Sequence, residues 1–573
     1  MAKEKTNKRP QTTTDKQDRQ TAPPALSARG KWLGGGAALL LVLAVYGLRL
    51  DQIIGLVVDD AWYVMLAKAL ATGHGYTLIN SPYPGLAPVY PPFHPLLLAL
   101  VFRLQANFPQ NVVALKLVGC AAMLGVGALS LYWLRRRSEW PFWLSLLGAL
   151  TVTLTPALVF LATSTAMSEG VFMAVLLAGV VVFEQALKQS EAKQQQLLLT
   201  GAAVLAALTF LTRSVGIALA AAAILYLLKQ RCWRWAVLYG CTFALLCAPW
   251  LWYARSHAPT AEQRQLQGGM IMSGYLANFW QQRAGLNEGG EIELNELPKR
   301  VWNNTLTAAG KDFAMLYAPL LYRSAKLSGM ETVESRGPFK LLAFLLTALI
   351  VLGFVLRAWR GLSVVELCTV IYLALILSWP WATFRFMAPL VLFWLDYLVT
   401  GLLGLLDYQK NFSPVWRWRV PGILLGCVLA LSLTDHAWYL KTRHDPAPAE
   451  TTPWPVVYHE YQAALDWIKQ RTPEDAVVTT GNPALVYLYT GRKAVWFEFP
   501  EKNWEGWKKL NVRYLAHLRP QPIQEPSWME GRFDLAYRAT GQLKLRVTNL
   551  GPPEKRLPWS LFNVPGNVLD VPK

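Results

Sequence analysis

Long apolar runs recur along most of this chain of 573 residues. Each run has roughly 17 to 25 residues, the length that a helix needs to cross a hydrocarbon core of about 30 Å. A backbone in lipid must satisfy its own hydrogen bonds, so such runs can only be helices. The composition agrees, since 53% of the residues are hydrophobic and only 16% are charged. The sequence therefore predicts a mainly α fold, a polytopic helical membrane bundle.

The predicted transmembrane helices number about eleven. The two spans on either side of Arg213 have only about 17 residues each, which favours tilted, short or partly re-entrant helices. The predicted spans are 32–50, 111–134, 141–162, 169–187, 196–212, 214–229, 235–253, 339–357, 363–379, 384–406 and 419–436.

The short connections between these spans alternate in charge. The connections at one end of the bundle carry Lys and Arg, whereas 162–168, 212–214 and 379–384 carry few charges. Cytoplasmic loops are enriched in Lys and Arg, so we assign the basic connections and the N-terminus to the cytoplasmic side. The net charge of +19 then reflects membrane anchoring and not nucleic-acid binding.

Composition divides the chain into four predicted parts. A polar segment rich in Lys, Arg, Gln and Thr predicts a disordered cytoplasmic tail. The apolar bundle follows, and then a Pro-rich linker. Helical and strand-like segments alternate after the linker, which predicts a small C-terminal α/β domain on the outer face. The predicted parts are 1–31 (tail), 32–436 (bundle, with outer loops 51–110 and 254–340), 437–456 (linker) and 457–573 (α/β domain).

Ionisable residues of both signs gather at the outer ends of the predicted helices. Asp59 and Asp60 follow the first span directly. Charges near a bilayer are costly and tend to mark sites, but a long side chain at a helix end can also extend into water at little cost. Each residue therefore keeps a structural alternative: Glu169 as a helix cap, Arg213 as a loop residue and His94 as an interfacial histidine.

The sequence leaves the question of a metal open. The six cysteines lie in or beside apolar runs, without CxxC or Cys/His spacing. Two adjacent carboxylates, Asp59 and Asp60, could instead bind Mg²⁺ or Mn²⁺ through oxygen. The alternative is that Asp60 accepts hydrogen bonds from the nearby backbone.

Six segments together resemble the GT-C glycosyltransferases, in particular the bacterial branch related to the protein O-mannosyltransferases of family 39 and to the lipid A aminoarabinose transferase. The family's acidic loop after the first helix is matched by DDAWYVMLAKALATGHGY from Asp59 to Tyr76, although the family more often has Asp-Glu. Its arginine-aromatic-proline segment is matched by FRFMAPL from Phe384 to Leu390. The remaining segments are YPPFHPLLLAL, MSEGVF, ALTFLTRSVGIAL and APWLWY, in which His94 departs from the family pattern.

This resemblance implies a GT-C-like bundle and an inverting membrane glycosyltransferase. The enzyme would move a sugar from a polyprenyl-phosphate donor to a protein, lipid or glycan acceptor on the outer side of a bacterial inner membrane. The C-terminal domain would be periplasmic, and the sequence leaves open whether it gates the site, recognises the acceptor or stabilises the bundle. A transporter or flippase of lipid-linked sugars is the alternative, but the charges lie at one face and no internal repeat is evident.

The resemblance also implies roles for individual residues. Asp59 would be the general base or would orient the acceptor, with Asp60 supporting it or binding a divalent metal. Arg385 and Arg213 would contact the phosphate, because a guanidinium stays charged and can bind two phosphate oxygens. Further substrate contacts would come from Glu169 and His94.

Overall fold

The computed structural model describes residues 27–55, 58–83, 85–267, 274–283, 286–319, 337–381, 383–409, 413–442, 465–466, 468–470, 472–496, 506–507, 509–518, 547–549 and 559–563. Most of the predicted N-terminal tail and of the predicted linker lies outside these residues.

Helices dominate the described chain. In chain order they are α1 (Ala28–Arg49), α2 (Asp59–Ala71), α3 (Phe93–Leu104), α4 (Val112–Arg136), α5 (Phe142–Thr153), α6 (Pro156–Thr163), α7 (Glu169–Ala186), α8 (Ala192–Thr212), α9 (Ile217–Lys229), α10 (Trp233–Ser256), α11 (Ala261–Gln267), α12 (Tyr275–Trp280), α13 (Leu297–Thr307), α14 (Phe313–Tyr317), α15 (Gly337–Arg360), α16 (Val364–Ser378), α17 (Phe384–Met387), α18 (Val391–Tyr408), α19 (Pro414–Thr442) and α20 (Pro483–Thr490).

Eight of the described helical segments are long and apolar enough to cross a membrane, or nine if the bent pair α5 and α6 is one span. This pair bends by 54°, at the break before Pro156. Two other predicted spans, 214–229 and 363–379, correspond to shorter apolar helices. These are α9, with the turn that precedes it, and α16. Each predicted span thus has a helical counterpart, and the predicted polytopic helical class is confirmed.

Two glycines allow a close helix crossing between α15 and α18. A Cβ atom at Gly353 would overlap the carbonyl oxygen of Tyr397, and one at Gly401 would overlap that of Leu349. Between helices in lipid the hydrophobic effect supplies little attraction, so close backbone approach at small residues carries much of the packing energy.

Partly buried ion pairs join the helix ends that carry Arg137 and Arg357. The Nη1 atom of Arg137 is 2.8 Å from Oε1 of Glu184, and its Nη2 atom is 2.8 Å from Oε1 of Glu366. Arg357 pairs with Asp396 across 2.7 Å. Arg137 and Arg357 belong to the basic connections that predicted the cytoplasmic side, so their charge is partly used in packing.

The C-terminal part contains a five-stranded mixed sheet. Its strands are β3 (Val477–Thr480), β4 (Lys493–Trp496), β5 (Val512–Leu518), β6 (Val547–Asn549) and β7 (Trp559–Asn563), after a separate hairpin of β1 (Gln281–Arg283) and β2 (Leu286–Glu291). The strand order is β4-β3-β5-β7-β6, with β3 parallel to β4 and β5, and β7 antiparallel to β5 and β6.

A second hydrophobic core joins this α/β part to the bundle. Leu485 and Leu488 of α20 lie in one buried cluster with Trp62 and Leu66 of α2. The sheet therefore packs, through α20, against the helix that carries the Asp59 and Asp60 pair.

Candidate active site

Four helix ends bring four ionisable side chains together. Asp59 begins α2 and Glu169 begins α7, positions at which the helix dipole favours a carboxylate. Arg213 follows the last residue of α8, and Arg385 lies in the short helix α17. The positions at which the apolar helices end therefore decide which charges meet.

The four side chains form a continuous chain of ion pairs. The Nη2 atom of Arg385 is 2.7 Å from Oδ2 of Asp59, and its Nε atom is 3.5 Å from Oε1 of Glu169. The same Glu169 oxygen lies 2.6 Å from Nη1 of Arg213. Two carboxylates thus face two guanidinium groups, and the formal charges of the four groups cancel.

Exposure differs along this chain of pairs. The side chains of Asp59 and Arg385 are 18% and 21% exposed, whereas those of Glu169 and Arg213 are 0% and 10% exposed. Asp59 and Arg385 therefore form the accessible pair. Glu169 is fully buried and paired with both arginines. This geometry suits a carboxylate that orients the two guanidinium groups, and its substrate contact stays a prediction.

Burial and charge act in opposite directions on Arg213, which lies between two helices. Burial lowers the pKa of its guanidinium, but the Glu169 carboxylate together with Tyr63 and Tyr372 raises it, and the net shift of the pKa is upward. Arg213 also donates to Oγ of Ser168 across 3.2 Å. The guanidinium is therefore charged and held in place.

Aromatic side chains complete the site, and sequence reasoning missed them. The hydroxyl of Tyr90 donates to Oδ1 of Asp59 across 2.7 Å. Burial, and then the Asp59 carboxylate, raise the pKa of Tyr90 well above its usual value, so the hydroxyl keeps its proton. The ring of Phe386 lies 5.5 Å from the guanidinium carbon of Arg213 and 5.2 Å from that of Arg385, which is cation–π range.

Asp59 is also held by strained backbone. Val58, which directly precedes it, has φ 41°, a region that β-branched residues rarely adopt. Strain of this kind persists where surrounding contacts determine the conformation, often at functional sites.

Asp60 bonds the backbone of the segment before α2. Its side chain is fully buried, and Oδ2 accepts a hydrogen bond of 2.9 Å from the backbone N–H of Gly55. The described residues contain no group of three His, Cys, Asp or Glu side chains that could hold a metal. Tyr90 and Arg385 already donate to the two oxygens of Asp59. The residues described here do not fit a resident Mg²⁺ or Mn²⁺ ion, and we derive no step through one.

His94 is buried behind the site. Its ring lies 5.1 Å from that of Tyr63, and its Nε2 atom bonds the carbonyl oxygen of Ala166 across 2.9 Å. Burial lowers the pKa of His94 to about 4. A neutral, enclosed imidazole supports the local packing, so the structure gives no support to the predicted substrate contact.

A further buried ion pair joins the segment after α1 to α4. The Nζ atom of Lys116 is 2.5 Å from Oδ1 of Asp51, and both side chains are almost fully buried. A lysine inside an apolar span is the signal that would have identified this pair.

The fold that carries this site is similar to that of a solved structure. No family model matches the chain. The crystal structure of ArnT from Cupriavidus metallidurans bound to undecaprenyl phosphate is similar, with a TM-score of 0.52 over 95% of this chain and 99% of that chain. The chain has a GT-C fold. At 13% sequence identity the similarity shows the fold alone.

Archaeal AglB, an oligosaccharyltransferase, gives a second comparison. The Archaeoglobus fulgidus enzyme in complex with an inhibitory peptide and a dolichol-phosphate matches at a TM-score of 0.49 and 13% identity, over 84% of this chain and 69% of that chain. The similarity to ArnT confirms the GT-C-like fold that the sequence resemblance implies, and this fold carries the ion-pair chain at one end of its helices.

We expect Glu169→Gln to destabilise the protein by about 3 to 5 kcal/mol, because it leaves the largely buried Arg213 without its anion. Thermal unfolding in detergent measures the effect. Asp407→Asn is the matched control, since it breaks the exposed Asp407–Arg417 pair, and such a pair contributes about 0 to 1 kcal/mol. Equal unfolding temperatures for the two variants would contradict the central position of Glu169.

We expect His94 to make the folded protein less stable in acid. Its pKa is about 4 in the fold and about 6.5 when unfolded, so between these values the unfolded chain binds the proton and the folded chain does not. Neutral His94 therefore costs the fold nothing above pH 6.5, and the free energy of unfolding falls by about 3 kcal/mol as the pH is lowered from 6.5 to 4. The free energy of unfolding should depend less on pH across this range in His94→Gln than in the parent. His74→Gln alters an exposed histidine and should leave the parent's pH dependence unchanged.

Proposed function

We propose that this protein is a membrane glycosyltransferase that moves a sugar from a polyprenyl-phosphate donor to an acceptor on the outer side of a bacterial inner membrane. The observation that carries the proposal is the accessible Asp59–Arg385 pair, backed by a second arginine, at one end of a GT-C bundle. The similar ArnT structure is bound to undecaprenyl phosphate, which favours a donor of this class.

The orientation in the membrane follows from charge. The end opposite Asp59 carries Arg135, Arg136 and Arg137 at the end of α4 and Arg357 and Arg360 at the end of α15. Cytoplasmic segments are enriched in such residues. This supports a cytoplasmic N-terminus, with the candidate site and the C-terminal α/β domain in the periplasm.

The arginines are suited to the leaving phosphate. As the bond between the anomeric carbon and the phosphate oxygen breaks, negative charge grows on the phosphate. Arg385 is the more exposed of the two guanidinium groups. Arg213 pairs with the same carboxylate, that of Glu169, and contacts the same ring, that of Phe386. Fixed cations in a site of low dielectric stabilise such charge without reorganisation.

Asp59 is suited to the acceptor. A carboxylate within hydrogen-bond reach can orient an acceptor hydroxyl and take its proton as the oxygen attacks the anomeric carbon from the side opposite the phosphate. One bond forms, one breaks, and the polyprenyl phosphate leaves with its electron pair. This geometry inverts the configuration at the anomeric carbon.

Donor binding and the base are coupled in this scheme. The four side chains are neutral as a set, so an incoming phosphate competes with Asp59 for Arg385. When Arg385 turns to the phosphate, Oδ2 of Asp59 is released toward the acceptor, while Tyr90 still holds Oδ1. A site without a donor then has its carboxylate neutralised by the arginine.

We expect Asp59→Asn to lower the rate of sugar transfer by about 10²- to 10⁴-fold, because the amide keeps the size of the carboxylate but not its basicity. Purified protein in nanodiscs is incubated with a panel of radiolabelled polyprenyl-phosphate sugars and a membrane extract as acceptor. Asp407→Asn removes a carboxylate from an exposed pair outside the site and should match the parent.

Two results would contradict this account. Transfer by Asp59→Asn within threefold of the parent would exclude the base assignment. Movement of the lipid carrier across the bilayer by the parent, with no sugar transferred to any acceptor in the extract, would favour the flippase alternative.

A further inference from the structure

The segment that joins α1 to α2 is held from two sides. Its described residues are 50–55 and 58, and it leads into Asp59, the proposed base at the start of α2. On the bundle side, Oδ1 of Asp51 binds Nζ of Lys116 in α4 across 2.5 Å and accepts the backbone N–H of Ile53 across 3.0 Å. The start of the segment is thereby fixed to a membrane helix.

The C-terminal domain holds the middle of the segment at Gly55. This glycine has φ 98°, and a Cβ atom added to it would overlap Cδ1 of Leu485 in α20. Its carbonyl oxygen accepts a hydrogen bond of 3.1 Å from Nδ2 of Asn482, and its N–H donates to Oδ2 of Asp60 across 2.9 Å. A residue of the α/β domain and a residue of α2 therefore bind the carbonyl oxygen and the N–H of one residue, Gly55.

Asn482 uses both ends of its amide. It is the N-cap of α20, where Oδ1 accepts from the backbone N–H of Leu485 across 3.2 Å. With Oδ1 committed to the cap, Nδ2 is directed to Gly55. The start of α20 and the loop before α2 are coupled through one side chain.

A second attachment keeps the domain in this register. Ala494 of β4 donates its N–H to the carbonyl oxygen of Asn80 across 2.9 Å, and Nδ2 of Asn80 donates to the carbonyl oxygen of Ala494 across 2.9 Å. Beside them, Nζ of Lys493 is 2.6 Å from the carbonyl oxygen of Ile79. The domain therefore contacts the outer loop on both sides of α2.

We infer that Asn482 is a positioning residue, through which the C-terminal α/β domain holds Asp59 against Arg385. The inference rests on the proposed function, since Asp59 is there the base. Asn482 acts through Gly55 and Asp60, and Asp60 and Asp59 share the first turn of α2. The outer domain is then a working part of the site, in addition to any role in acceptor recognition.

Asn482→Ser tests this link in the full-length protein. Serine still caps a helix, but its hydroxyl is taken up by the cap and no longer reaches Gly55. We expect kcat to fall about tenfold, because small displacements of a catalytic group are costly, with KM for the donor and the unfolding temperature nearly unchanged. Amide exchange of Gly55 should rise about tenfold, because the loop opens more easily.

Asp475→Asn is the matched control in the same domain, since Asp475 pairs only with Arg513 on the exposed surface among the contacts described. It should leave both exchange and kcat unchanged. Unchanged Gly55 exchange in Asn482→Ser would overturn the inference, and so would faster exchange with full kcat. A parent without transferase activity would overturn the proposed function instead, while the exchange measurement would still decide whether Asn482 holds the segment.

Discussion

The shared Glu169 carboxylate is the interaction on which the site depends. One oxygen of this fully buried group lies 2.6 Å from Arg213 and 3.5 Å from Arg385. Two guanidinium groups so close together would repel each other at the edge of a bilayer without an anion beneath them. The Glu169 carboxylate stabilises the two neighbouring cations, and the Asp59 carboxylate balances the remaining positive charge at the exposed side. A phosphate can enter by taking the place of the Asp59 carboxylate at Arg385.

The fold supplies this arrangement by controlling where helices end. α2 and α7 begin at the two carboxylates. Arg213 lies at the break between α8 and α9, and Arg385 lies in the short helix α17 before α18. Tight packing holds those ends in register, because Gly353 of α15 leaves no room between its helix and α18. The α/β domain acts from the other side by binding the loop before α2. The precision of the site is thus distributed over the bundle and the domain.

The sequence predicted the elements whose signals are local. Each apolar span is read from hydropathy alone, and Asp59 and Arg385 stood out because short motifs carry them. For Asp60 the sequence left two roles open, and the hydrogen bond from Gly55 agrees with the backbone alternative, since adjacent residues on a helix do not face the same side. The role of Tyr90 could not be read from a chain with 25 Trp, 22 Tyr and 22 Phe. Its contact with Asp59 depends on how a loop 31 residues away folds back.

The competition between phosphate and Asp59 for Arg385 is the central claim, and equilibrium binding of undecaprenyl phosphate to the protein in nanodiscs tests it most directly. Asp59→Asn removes the competing charge, and a partly exposed ion pair is worth about 1 kcal/mol. The account predicts that this variant binds the lipid about fivefold more tightly than the parent, although it does not transfer sugar. Weaker or equal binding by the variant would contradict the claim that Asp59 and the donor phosphate share Arg385.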